Sequence, residues 1–127
     1  MSSIKEQIGE YLKSEGLMPK DKDYGFFFRY QMLSFYIQWS ESDERFLKIS
    51  LPSIFSVDEN NRQDVLEVAN KIGLERKVVK CVVPEDDVWI VAEQLMDSNP
   101  NFEDIIPRTL NMLVQARDVF YEKLKEL

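Results

Sequence analysis

The chain contains no histidine among its 127 residues. Imidazole-based triads and dyads, histidine proton shuttles, and most zinc and non-haem iron sites are therefore excluded. A single cysteine, Cys81, permits neither an internal disulfide nor a thiolate metal cluster, which leaves only oxygen-ligand sites for Mg or Ca. Cys81 sits in an apolar strand-like run with no base to activate it, so it is expected to be a small buried hydrophobe. Glycine is scarce, at positions 9, 16, 25 and 73 only, and no GxGxxG, P-loop or GxSxG pattern occurs. A phosphate cradle is therefore not expected. No apolar run approaches the ~20 residues that span a bilayer.

Positive charge is also short, with 16 Lys and Arg against 23 Asp and Glu, a net of −7. The field of such a chain repels polyanions, so neither nucleic acid nor an acidic membrane surface is expected as a partner. The N-terminal Met1 to Glu6 lacks the apolar run of a signal peptide, and with the lone cysteine this predicts a cytoplasmic setting. A chain of this length is expected to form one domain over residues 1–127, burying roughly two-thirds of its unfolded surface.

What the chain does have is apolar periodicity. From Asn101 to Leu127, Phe102, Ile105, Ile106, Leu110, Leu113, Ala116 and Phe120 recur at helical spacing, predicting one long amphipathic helix that needs a broad apolar platform. Ser3 to Glu15 predicts a first helix with the stripe Ile4, Ile8, Tyr11 and Leu12, with Ser2 or Ser3 as N-cap and Gly16 closing it. Met18 to Asp23 reads as a polar connection.

From Tyr24 to Ile54 the period changes to two, and three strands follow. A two-residue turn at Gln31-Met32 sets Phe26, Phe28 and Tyr30 opposite Ile37, Phe35 and Leu33. A loop at Ser40 to Glu44 sets Ile37, Phe35 and Leu33 opposite Leu47, Ile49 and Leu51, so all nine share a face. Met32 is an awkward turn residue, implying strain or a longer loop. Pro52 should end or kink the third strand. A second helix is expected from Arg62 to Ile72, burying Val65, Leu66, Val68, Ala69 and Ile72 and stopped by Gly73. Arg76 to Val83 and Val88 to Leu95 read as a hairpin pairing Val79, Cys81 and Val83 with Ala92, Ile90 and Val88. The expected architecture is α+β in the order αβββαββα, with a five-stranded, mainly antiparallel sheet under helices.

The candidate sites are few. Glu85, Asp86 and Asp87 with Glu93, and Asp21 with Asp23, could be read as Mg or Ca clusters, but acids in turns without EF-hand spacing read better as solvated loops. An enzyme of carboxylates and a metal-bound water, with Lys80 as electrostatic partner, has no located site. A pocket lined by Phe35, Ile90, Leu113 and Phe120 would make a small-ligand sensor, with a filled core as the simpler reading. No catalytic residue, metal or cofactor is therefore expected. The most informative feature is the second face of the sheet. It carries Phe27, Tyr36, Phe46 and Trp89 among Arg29, Ser34, Gln38, Lys48 and Ser50. Either the two shorter helices cover it, or it is a protein interface, where aromatic residues and Arg are favoured.

The runs Phe35-Tyr36-Ile37-Gln38-Trp39, Leu47-Lys48-Ile49-Ser50-Leu51-Pro52 and Val65-Leu66-Glu67-Val68-Ala69-Asn70-Lys71-Ile72 carry a resemblance that continues into later segments. These are the hairpin from Lys77 to Ile90 and the closing helix. Together they resemble the YbjN-like family of candidate bacterial sensory transduction regulators, from about Tyr24 to the end. The resemblance implies a fold like that of type III secretion chaperones, with a curved antiparallel sheet. It further implies a non-enzymatic regulatory or chaperone-like role in a bacterial cytoplasm, a homodimer, and a protein or peptide partner.

Overall fold

In the computed structural model, which describes residues 3–22, 25–40 and 42–127, nine elements follow one another. They are α1 (Ile4–Ser14), β1 (Lys20–Lys22), β2 (Gly25–Tyr30), β3 (Leu33–Trp39), β4 (Phe46–Ser56), α2 (Arg62–Glu75), β5 (Val79–Val82), β6 (Asp87–Leu95) and α3 (Phe102–Lys125). The strands form one antiparallel sheet in the order β1-β2-β3-β4-β6-β5. The α+β class and the helix positions agree with the sequence, but the sheet has six strands and not five. The additional strand is β1, which lies in the presumed connection and pairs with β2. All three of its residues are exposed, so no apolar alternation announces it. Ser2 as a cap, Asp23 as a candidate acid, Tyr24 as a strand start and Glu41 within the expected loop lie outside the described residues.

Local chemistry sets the ends of α1. The Ser3 hydroxyl accepts the Glu6 N–H at 3.1 Å, satisfying an amide that the helix itself leaves open. At the other end Gly16, at φ 75, lets its own N–H reach the Lys13 carbonyl and that of Leu17 reach the Leu12 carbonyl. That is the pair of bonds of a Schellman cap. Gly9 lies inside α1 for a different reason, because a Cβ there would meet the tip of the Phe26 ring at 3.3 Å.

The β2–β3 hairpin has the expected register, with Phe26, Phe28 and Tyr30 opposite Ile37, Phe35 and Leu33. Its two-residue turn puts Gln31 at φ 50 and Met32 at φ 66, the left-handed pair that a type I′ turn demands and that these side chains resist. The β3–β4 pairing differs from expectation by two residues: Ile37 faces Ile49 and Trp39 faces Leu47. The slip is even, so every side chain keeps its face. Of the two outcomes expected at Pro52, an end or a kink, the strand is not ended but is made irregular there. The strand runs on to Ser56 through a register shift between Leu51 and Phe55, where Ser53 takes φ 56, and it continues to pair with β6.

Gly73 does not stop α2 either, since the helix continues to Glu75. Val65, Val68, Ala69 and Ile72 are its buried side, whereas Leu66, expected to be buried, is 49% exposed. The β5–β6 pairing is as expected, with Val79 opposite Ala92 and Cys81 opposite Ile90. The fifth strand is shorter than expected because Val78 sits at φ 70 and breaks the extended run before it.

All three helices pack on one face of the sheet. Ile8 and Leu12 of α1 and Phe102, Ile106, Leu110, Leu113 and Ala116 of α3 share one core with Phe26, Phe28, Phe35, Ile37, Leu47, Ile49, Leu51, Ile90 and Ala92. Val65, Val68 and Ile72 of α2 join Val57, Val88 and Phe120 in a second core. Each fully buried Leu, Ile or Phe contributes about 1.5–3 kcal/mol relative to exposure, so these stripes dominate the stability of the helices. One part-buried polar contact ties α3 to the sheet: Gln94 of β6 donates to Thr109 Oγ1 at 3.0 Å, while Thr109 itself donates within the helix to the Ile105 carbonyl at 2.7 Å. Among the described residues no helix is long and apolar enough to cross a membrane.

Candidate functional site

Because every described helix lies on one face, the other face of the sheet has no helical cover among the described residues. The expectation that α1 or α2 covers it is therefore corrected: an amphipathic stripe says that a helix must be buried, but not on which side of a sheet. The register aligns Lys20, Phe27, Tyr36, Ser50, Val91 and Lys80 into one row across all six strands. At strand spacing this row spans about 24 Å.

The structure brings together two of the four proposed interface aromatics. Phe27 and Tyr36 stack with centroids 4.4 Å apart and planes 7° from parallel. The Lys22 ammonium lies 5.9 Å from the Phe27 centroid, and the Tyr36 ring lies over Gly25, where a Cβ would come within 2.4 Å of it. Gly25 thus makes room for the ring, as glycines on sheets do when an aromatic neighbour lies across them. Trp89 stands on β6, one row away from Val91, with its indole N–H donating to Asp87 Oδ2 at 2.8 Å. The Ser53 hydroxyl donates to the same carboxylate oxygen at 2.7 Å. Phe46 is paired with Leu95 at the far end of β4 and does not join the stack. All four aromatics are half-buried.

The charge on this face is opposite to that of the chain. Lys20, Lys22, Arg29, Lys48 and Lys80 face Asp87 and Glu93, so the −7 of the whole resolves into +3 here and −10 elsewhere. At the β5–β6 end the cations are balanced. Lys80 and Glu93 pair at 2.7 Å, and the hydrogen bond from Lys80, with the field of Lys48, holds the Glu93 carboxyl below the usual carboxylate range against a smaller opposing effect of burial. At the β1–β2 end Lys20, Lys22 and Arg29 have no ion-pair partner among the described residues. There a cleft of about 530 Å³ opens between Gly16–Met18 and the strands, with Lys20, Phe27, Arg29 and Ser34 on its walls. In the middle of the row Ser50 is fully buried, with its hydroxyl lacking a partner among the described residues.

The remaining candidates are scattered. Asp86 pairs with Arg62, Asp87 with Trp89 and Ser53, Glu93 with Lys80, and Asp21 with Lys5, so the acids serve separate local contacts. Burial pushes the Cys81 thiol up to about 12, which keeps it protonated and a poor nucleophile at neutral pH. Phe35, Ile90, Leu113 and Phe120, proposed as a pocket lining, are fully buried within the packed cores. Sequence reasoning missed the cationic corner because it read Lys20 and Lys22 as a connection. The signal available was Gly25, a strand glycine two residues before Phe27 and therefore on the same face as the stacked aromatics.

No protein-family profile matches the sequence, and no curated protein matches it. Solved structures do. An uncharacterised protein from Methanothermobacter thermautotrophicus superposes with a TM-score of 0.67 at 15% identity, covering 96% of each chain. YbjN from E. coli, described as a candidate transcription regulator, superposes with a TM-score of 0.70 at 10% identity, covering 92% of this chain and 88% of that one. At such identities the likeness is one of architecture, and in its fold this chain is YbjN-like.

Proposed function

We propose that this protein is a non-enzymatic interaction module with a regulatory or chaperone-like role in a bacterial cytoplasm. It binds a protein or peptide partner through the sheet face that carries Phe27, Tyr36, Phe46 and Trp89. The observation that supports this reading is the half-buried aromatic set on a sheet face without a described helix over it, a surface composition favoured at protein interfaces. The description of YbjN as a candidate transcription regulator agrees with a regulatory role.

A homodimer belongs to the same proposal, with its contact elsewhere. Pairing two copies of the aromatic face about a two-fold axis sets +3 against +3, which disfavours it. The exposed apolar residues Leu66 and Leu74 of α2 and Val78 just before β5 are the better self-association surface.

The test is capture of the tagged chain from a lysate of its own organism under mild crosslinking, compared with the Tyr36→Glu/Phe46→Glu double variant. A stoichiometric partner lost in a variant of unchanged circular dichroism is the expected result. Equal capture by both forms would remove this face from the binding reaction, and an unfolded variant would show that the face is core.

A further inference from the structure

We propose that the partner is an acidic, extended polypeptide segment, held where the Phe27–Tyr36 stack meets the cleft beside β1. The inference rests on the interaction reading above and adds the chemistry of the occupant. Charge complementarity carries it. On a chain of −7 the described cations of this face concentrate at one corner. There Lys20, Lys22 and Arg29 have no described carboxylate partner, whereas the opposite corner is neutralised by the Lys80–Glu93 pair. Apolar surface lies between the cations, supplied by Phe27 and by Leu17 and Met18 across the cleft, and Met18 is 86% exposed.

The geometry specifies a pattern. Lys20 and Lys22 are alternate residues of one strand and project on the same face as Phe27. Their spacing of about 7 Å equals that of alternate side chains in any extended segment. A partner with carboxylates at every second position and apolar side chains between them therefore matches both cations at once, with Arg29 available to a further carboxylate. Nucleic acid fits less well. Both faces of the Phe27 ring are engaged, one by Tyr36 and the other by Lys22, so that ring offers no platform for base stacking. The −10 on the rest of the chain also repels a polyanion extending beyond the corner.

The experiment is fluorescence anisotropy on the full chain with a labelled heptapeptide alternating glutamate and leucine. The controls are the same peptide with glutamine for glutamate and a single-stranded oligonucleotide of equal charge. The expected result is binding of the glutamate peptide that weakens at least tenfold with the glutamine peptide, with the exposed double variant Lys20→Glu/Arg29→Glu, and on raising salt from 50 to 500 mM. Equal binding of the two peptides would overturn the acidic specificity while leaving a peptide-binding face in place. Tighter binding of the oligonucleotide would overturn it in favour of nucleic acid. Failure of both peptides, with lysate capture still dependent on Tyr36 and Phe46, would reject this occupant but retain the interaction module. Loss of that capture dependence as well would reject both.

Discussion

Replacing Gly25 by alanine tests the architecture of the aromatic face at a single atom. The added Cβ would lie 2.4 Å from Tyr36 Cε1, 2.8 Å from Tyr36 Cζ and 2.6 Å from the Ile37 carbonyl oxygen. None of these distances is tolerable. The ring can swing away, losing its stack on Phe27, and such pairs are worth about 0.5–1.5 kcal/mol. The carbonyl belongs to the ladder and moves only with the backbone, an overpacking strain of about 1–3 kcal/mol. Against this, alanine gains about 0.5–1 kcal/mol over glycine through the unfolded chain. The net expectation is a loss of about 2–3 kcal/mol. With a urea m-value of about 1.5 kcal/mol/M for a domain of this size, the unfolding midpoint should fall by about 1.5–2 M. A double-mutant cycle with Tyr36→Ala separates the two contacts. Removing the ring removes its clash but not that of the carbonyl, so the double variant should be about 1 kcal/mol more stable than additivity predicts. A Gly25→Ala protein within 0.5 kcal/mol of the parent, or strict additivity, would refute a ring lying across Gly25.

Three further outcomes are expected. Gly73→Ala should stabilise the protein by about 0.5–1 kcal/mol in chemical denaturation, because Gly73 is inside α2 and nothing lies within 4 Å of an added Cβ; destabilisation would place a helix end there after all. Replacing Gln31 and Met32 by Asn and Gly should raise the midpoint of thermal unfolding by about 3–5 °C, since both positions are left-handed and Met32 is 87% exposed and loses little contact. An unchanged or lower midpoint in calorimetry would show that the turn is not strained. Glu93 has a carboxyl pKa below its ordinary value, so its stabilising contribution is present above the unfolded-state pKa and is lost as pH falls through the lower, folded-state value. Glu93→Gln should therefore flatten the acid limb of the stability profile, and an unaltered limb would contradict the Lys80 pairing.

Which of these features could be read from the sequence follows from what periodicity measures. Alternation gave the face of the residues within β2, β3 and β4 up to Leu51, and the helices bury their stripes as expected apart from Leu66. The same alternation is blind to a two-residue slip, which is why Ile37 was set against Leu47 when it pairs with Ile49. The strand β1 has no apolar residue to alternate, and only its pairing with Gly25–Phe27 reveals it. Gly16 and Gly73 look alike on paper, but the first takes a left-handed φ and caps a helix, while the second stays helical because α2 continues through Leu74 and Glu75. That Phe27, Tyr36, Phe46 and Trp89 share one side of the sheet was legible from parity. Their grouping was not. It depends on cross-strand register, on the small size of Gly25 and on which side the helices take.

The placement of β6 between β4 and β5 has a kinetic consequence. Strands β1 to β4 each pair with their neighbours in the sequence, and β5 pairs with β6 in the same way. Only the β4–β6 seam must be closed across the whole of α2, as when Ile49 meets Ala92. Two locally built sheets must therefore meet edge to edge, and the loop-closure entropy of the crossover is met before the seam gains its contacts. Side chains at that junction should be among the last to reach native packing, so truncating them should speed unfolding more than it slows folding.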